Sequence, residues 1–122
     1  MKKNMFNVIT KAFVFDFDDT LALTDATVKV GGVALTPSEF NTYTLKAGES
    51  FDFSEFSKPS LILDGTPLSL IDLARAVSDE GHSVFILTAR AGCVASAIAE
   101  FLADQGVAVN AVHCVGSATG GD

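Results

Sequence analysis

Apolar residues along the chain fall into two rhythms. Ala12-Phe13-Val14-Phe15 and Ser83-Val84-Phe85-Ile86-Leu87-Thr88 are runs rich in strand formers with no polar alternation, the habit of parallel strands covered on both faces. Val107, Val109, Val112 and Val115 recur among small residues and place a third strand within 107–115. Between these runs the period turns helical. Behind Thr66 as N-cap and Pro67 at the first helical position, Leu70, Leu73, Ala74 and Val77 share one face, and Gly81 ends the helix. From Gly92 onward Val94, Ala97, Ile98, Phe101 and Leu102 repeat that spacing up to Gly106. Strand, helix, strand, helix, strand predicts a parallel α/β sheet.

The segment after the first strand has another character. Thr27-Val28-Lys29-Val30, Gly31-Gly32 and Val33-Ala34-Leu35 predict a hairpin with a two-residue turn. Thr36-Pro37-Ser38-Glu39 is a capping box opening a short helix to about Leu45, which Lys46-Ala47-Gly48-Glu49-Ser50 breaks. Phe51, Phe53 and Phe56 are predicted to pack on the sheet domain. Residues 21–60 thus read as a small flap or cap inserted into one domain spanning 1–122, and as its most mobile part.

Composition narrows the function. The 122 residues carry a net charge of −7, which argues against generic nucleic-acid or anionic-membrane binding. A nucleotide or polynucleotide end remains compatible, because a bound metal supplies local positive charge. No apolar run approaches the roughly 18 residues that span a bilayer. Met1 to Phe6 has the charge of a signal peptide's start, but Asp16, Asp18 and Asp19 interrupt the apolar stretch from Ala12, so a cytoplasmic location is expected. Cys93 and Cys114 lack metal-type spacing and are expected to be reduced, partly buried thiols. His82, His113, Lys46 and Lys58 are read as structural or surface residues.

The chemistry gathers at the strand ends, where open α/β sheets bind ligands. An extended chain after the first strand points Asp16 and Asp18 to one side. Two adjoining carboxylates are tolerable beside a divalent cation or with one of them protonated, and both states serve phosphoryl transfer. Phe15-Asp16-Phe17-Asp18-Asp19-Thr20-Leu21 resembles motif I of the haloacid-dehalogenase superfamily, the DxDxT signature after an apolar strand. Ile86-Leu87-Thr88-Ala89-Arg90 resembles its motif II. The resemblance implies a Rossmann-like three-layer sandwich and a Mg²⁺-dependent phosphate-ester hydrolase working through an aspartyl-phosphate. It implies Asp16 as nucleophile and Mg²⁺ ligand, Asp18 as general acid and base with its backbone carbonyl on the Mg²⁺, Thr88 as a donor to the phosphoryl oxygen and Thr20 as loop support at the substrate. An acid at Asp18 suits an alkoxide leaving group, which needs a proton, better than a halide. Arg90 is expected either to hold a substrate phosphate or carboxylate bidentately or to lie solvated in a loop.

The same resemblance calls for a lysine ahead of a later helix and an acidic pair after a fourth strand, and neither lies downstream of Asp104. The expectation is therefore a C-terminally incomplete domain with impaired activity. An open edge on its first strand would be covered by forming a homodimer. The competing expectation is a non-catalytic remnant that keeps the fold and oligomerises through that edge.

Overall fold

The computed structural model describes residues 11–116. In chain order the elements are β1 (Ala12–Phe15), β2 (Ala22–Leu23), β3 (Val28–Val30), β4 (Val33–Leu35), α1 (Pro37–Thr42), β5 (Phe51–Asp52), α2 (Pro59–Leu63), β6 (Thr66–Pro67), α3 (Leu70–Asp79), β7 (Ser83–Ala91), α4 (Ala95–Asp104) and β8 (Ala111–Gly116). The main sheet is parallel, in the order β1-β7-β8. Phe15 stands opposite Ile86, and Thr88 opposite Cys114. The parallel α/β class read from the sequence is what folds. The N-terminal charged segment and the glycine-rich stretch after Gly116 lie outside the described residues.

Both connections step the same way across the sheet, and right-handed crossovers in one direction put their helices on one face. Phe15, Val84 and Ile86 from that face join Ile71, Ala74 and Val77 of α3 and Ala97, Ile98, Phe101 and Leu102 of α4 in a single core. The opposite face is bare: Val14, Leu87 and Val115 are 64%, 49% and 71% exposed. Among the described residues, then, helices cover one side of the sheet, and the third layer of the expected sandwich is absent. A continuous apolar run reports that both faces of a strand are hydrophobic, not that both are covered. Ile98 is fully buried between α4 and the sheet, so Ile98→Ala is expected to cost about 2–5 kcal/mol, measurable as a lowered urea midpoint.

Both long helices end as the glycines predict. Gly81 and Gly106 take φ of +87° and +82°. The following N–H of His82 reaches back to the Val77 carbonyl, and that of Val107 to the Leu102 carbonyl, the six-to-one closure of a left-handed cap. The helix starts differ from expectation. Thr66-Pro67 does not cap α3; it pairs antiparallel with Ala22-Leu23 as β6, and Leu68 N–H donates to the Leu21 carbonyl. Proline keeps its predecessor extended, which suits an edge strand as well as a helix entry. The third strand, Ala111–Gly116, falls in the stretch expected for it, and Val107 ahead of it is buried against the core as α4 turns out. α4 itself starts at Ala95, after one 3₁₀ turn over Gly92–Val94.

The flap forms much as predicted. Gly31 and Gly32 both have positive φ (58° and 81°), the turn that matches the twist of a tight hairpin. The Thr36–Glu39 capping box closes with reciprocal bonds of 3.1 and 2.8 Å, and α1 ends at Thr42, short of Leu45. Phe51 and Phe53 pack not on the sheet domain but on Phe40, with ring centroids 5.0–6.0 Å apart. They give the flap its own small core. Leu21 and Ala22, by contrast, are buried in the main core, so the flap body starts after them.

Glu55 anchors the flap's root. Its carboxylate accepts from the Thr27 N–H (2.7 Å) and hydroxyl (3.0 Å) and pairs with Lys29 at 3.0 Å. The Thr27 backbone bond first, then Lys29 and the Thr27 hydroxyl, hold its pKa down at about 2, from an ordinary 4.5. A depressed carboxylate contributes stability that is fully present above the unfolded value and lost as pH falls through the folded one. The flap is therefore expected to loosen between pH 4.5 and 2. Tyr43, the chain's only tyrosine, sits in the flap with its hydroxyl on Glu49 and reports the change by fluorescence. In Glu55→Gln the acid-induced change should shrink; an identical profile would assign it to another group.

Candidate active site at the carboxyl end of the sheet

Asp16 follows the last residue of β1 and is exposed. Its Oδ1 accepts the N–H of Phe17 at 2.9 Å, and its Oδ2 lies 3.5 Å from the Thr20 hydroxyl. The loop behind it is wound around one carbonyl. The Thr20, Leu21 and Ala22 N–H groups all point at the Phe17 oxygen, at 3.2, 2.9 and 3.2 Å. Fully buried Phe17, Leu21 and Ala22 pin this loop into the core. Asp19 closes it with φ of +61°, the only described non-glycine residue in the left-handed region. A short polar side chain tolerates that conformation; a β-branched one does not. Asp19→Val should cost about 1–2 kcal/mol in thermal or urea melts, with Asp19→Gly neutral or better.

Asp18 is held differently. Arg90 meets it as a fork, with Nε 2.9 and 3.2 Å from the two carboxylate oxygens and Nη2 2.6 Å from Oδ1. Nη2 also donates to the Thr24 hydroxyl at 3.0 Å, and Nη1 to the Phe56 carbonyl at 2.9 Å. The guanidinium sits 4.8 Å from the Phe56 ring centroid, a favourable cation–π distance. Only 2% of the Arg90 side chain is exposed, against 30% for Asp18. Arg90 is not the solvated loop residue of one expectation, and it does form a fork. Its partner, however, is the protein's own carboxylate. Arg90 lies near the end of β7, where the register against β8 shifts between Thr88 and Ala91. Gly116 is required opposite that shift, since a Cβ there would run into the Ala89 carbonyl.

Thr88 is buried, and its hydroxyl accepts the Arg90 backbone N–H at 3.1 Å. Asp16, Thr20, Asp18, Thr88 and Arg90 therefore gather at one end of the parallel sheet, but as two linked groups: Asp16 with Thr20, and Asp18 with Arg90 and its neighbours. No hydrogen bond joins Asp16 to Asp18 or to Thr88 among the described residues.

The described residues offer an expected Mg²⁺ site only part of a donor set. Both Asp18 carboxylate oxygens accept from the Arg90 guanidinium, so that carboxylate is not free for a cation, and the Asp16 carboxylate and the Asp18 backbone carbonyl are the donors left of the set the resemblance implies. Among the described residues no three acidic, histidine or cysteine side chains come together as a metal cluster.

Beside Asp18 and Ala89 opens a cavity of about 550 Å³ between the sheet edge and the flap. Asp19, Thr24, Asn41 and Phe56 lie in its wall; none of them stood out in the sequence as a site residue. The Phe51-Phe53-Phe56 cluster was the available signal, and Thr24 had none. Both cysteines are free, but only Cys114 is partly buried as expected, while Cys93 is exposed; burial pushes the Cys114 thiol up. Among the described residues no helix is long and apolar enough to cross a membrane.

Comparison of the chain with protein-family models, curated proteins and solved structures finds no match.

Proposed function

We propose that the chain is a phosphate-ester hydrolase of the haloacid-dehalogenase type, with Asp16 as nucleophile. The observation that supports this best is an exposed, hydrogen-bonded carboxylate at the carboxyl end of a parallel strand, with Thr88 on the adjacent strand two residues past Ile86, the partner of Phe15. An Asp16 oxygen attacks phosphorus, the bond from phosphorus to the ester oxygen breaks, and the leaving alkoxide takes a proton. Water then attacks the aspartyl-phosphate, returning the carboxylate and releasing inorganic phosphate. Asp18 is the proton donor and acceptor of this scheme, and to act it must first give up the Arg90 fork. Arg90 is thus a positioning residue that holds Asp18 in reserve.

Incubation with acetyl phosphate, with and without Mg²⁺, tests the proposal. A gain of one phosphoryl group on Asp16 by mass spectrometry, labile to hydroxylamine, is the expected result. A chain that stays unmodified under both conditions would overturn it.

A second reading, a non-catalytic module that associates with a second copy of itself, is favoured by one observation. Val14, Leu87 and Val115 lie exposed on the bare sheet face, beside a β1 edge that has no partner strand among the described residues. Light scattering separates the readings: a stable dimer that takes no phosphoryl group supports the module.

A further inference from the structure

We propose that the cavity beneath the flap holds an amino-bearing nucleobase, the leaving-group side of a nucleotide. Its walls are largely apolar, with Leu23, Val28, Leu35, Phe40, Phe53 and Phe56 surrounding about 550 Å³, ample for a base and its ribose among ligand sites of about 300–1,000 Å³. What selects the ligand is which polar groups remain available. The Thr24 hydroxyl accepts from Arg90 and lies 3.4 Å from the Ala26 N–H. The Thr27 hydroxyl donates to Glu55, and that of Thr36 accepts the Glu39 N–H. Asp18 is held by Arg90. Two lining residues, Asp19 and Asn41, make no side-chain hydrogen bond among the described residues, and the Thr24 and Thr36 hydroxyls, which accept, each keep a proton to donate.

A carboxylate accepts only, whereas an amide both donates and accepts. A ligand complementary to the pair is flat and apolar in its body, with N–H donors and a ring-nitrogen or carbonyl acceptor at its edge. An amino-bearing base has that edge. Arg90 is the only cationic side chain in the lining, and its fork is filled by Asp18. A second phosphate or a carboxylate on the leaving group would meet uncompensated Asp19 and be disfavoured. The inference rests on the phosphate-ester reading for the position of the scissile group, but the base pocket is testable without it.

Titration of the full chain with adenosine by calorimetry, with ribose as control, is the test. Adenosine should bind and ribose should not. Asn41→Ala and Asp19→Asn should each weaken adenosine about tenfold, the effect of one lost hydrogen bond. Both side chains are exposed, and asparagine tolerates the left-handed φ at position 19, so circular dichroism should show both variants folded. Adenosine that fails to bind, or binds equally to both variants, overturns the proposal. Phosphorylation of Asp16 without adenosine binding would remove the base pocket and leave the hydrolase; adenosine binding without phosphorylation would do the reverse.

Discussion

Replacing Arg90 with alanine is expected to lower the free energy of unfolding by about 3 kcal/mol, the low end of what removing one partner from a buried ion pair costs. The low end applies because Asp18 keeps 30% of its side chain in water. Three parts of the chain lose a shared anchor at once: Asp18 in the loop after β1, Thr24 after β2, and the Phe56 carbonyl at the flap's root. The flap should therefore open as well as the whole protein weaken. Limited trypsin digestion, read at exposed Lys46, should speed up more than the loss of global stability explains. Arg90→Lys should fall between, because an ammonium keeps the charge without the planar fork. Pairing Arg90→Met with Asp18→Leu should recover most of the loss, since an apolar pair leaves no stranded charge. A double variant as unstable as Arg90→Ala alone would show that the cost lies elsewhere.

Asp16→Asn should reduce phosphate release from p-nitrophenyl phosphate at least about 10³-fold, because removing a nucleophile commonly costs more than that. Its stability should change little. Asp16 is exposed, and its polar contacts are the neighbouring Phe17 N–H and a long 3.5 Å approach to Thr20, both of which an amide oxygen can receive. Unchanged turnover in a folded Asp16→Asn protein would remove Asp16 from the mechanism. Activity that falls together with the melting temperature would point to a damaged loop, and the melt distinguishes the two.

The parts of this protein legible from its sequence are those specified within a few residues. Gly31-Gly32 requires φ above zero, so the hairpin turn could be read directly. Thr36 and Glu39 satisfy each other's backbone across three positions, and Gly81 and Gly106 stop two amphipathic helices whose buried faces follow from spacing. Asp16 at the end of β1 was legible in position, as an acid directly after an apolar run, although acids at i and i+2 serve a cap or turn as readily as a site. The fork of Arg90 on Asp18, 72 positions apart, carries no local signature. Neither does the choice of Thr66-Pro67 to pair with Ala22-Leu23, since an extended proline dipeptide serves a strand and a helix entry alike.

Local chemistry thus determined the elements, their caps and the carboxylates at the strand end. Tertiary structure decided which charges meet, which sheet face stays bare and where the cavity lies. Hydrogen bonds of caps and turns close over three to five residues and need no distant partner. Charge pairing and burial depend on crossovers that bring remote segments together, and their energy is settled only when both partners leave water.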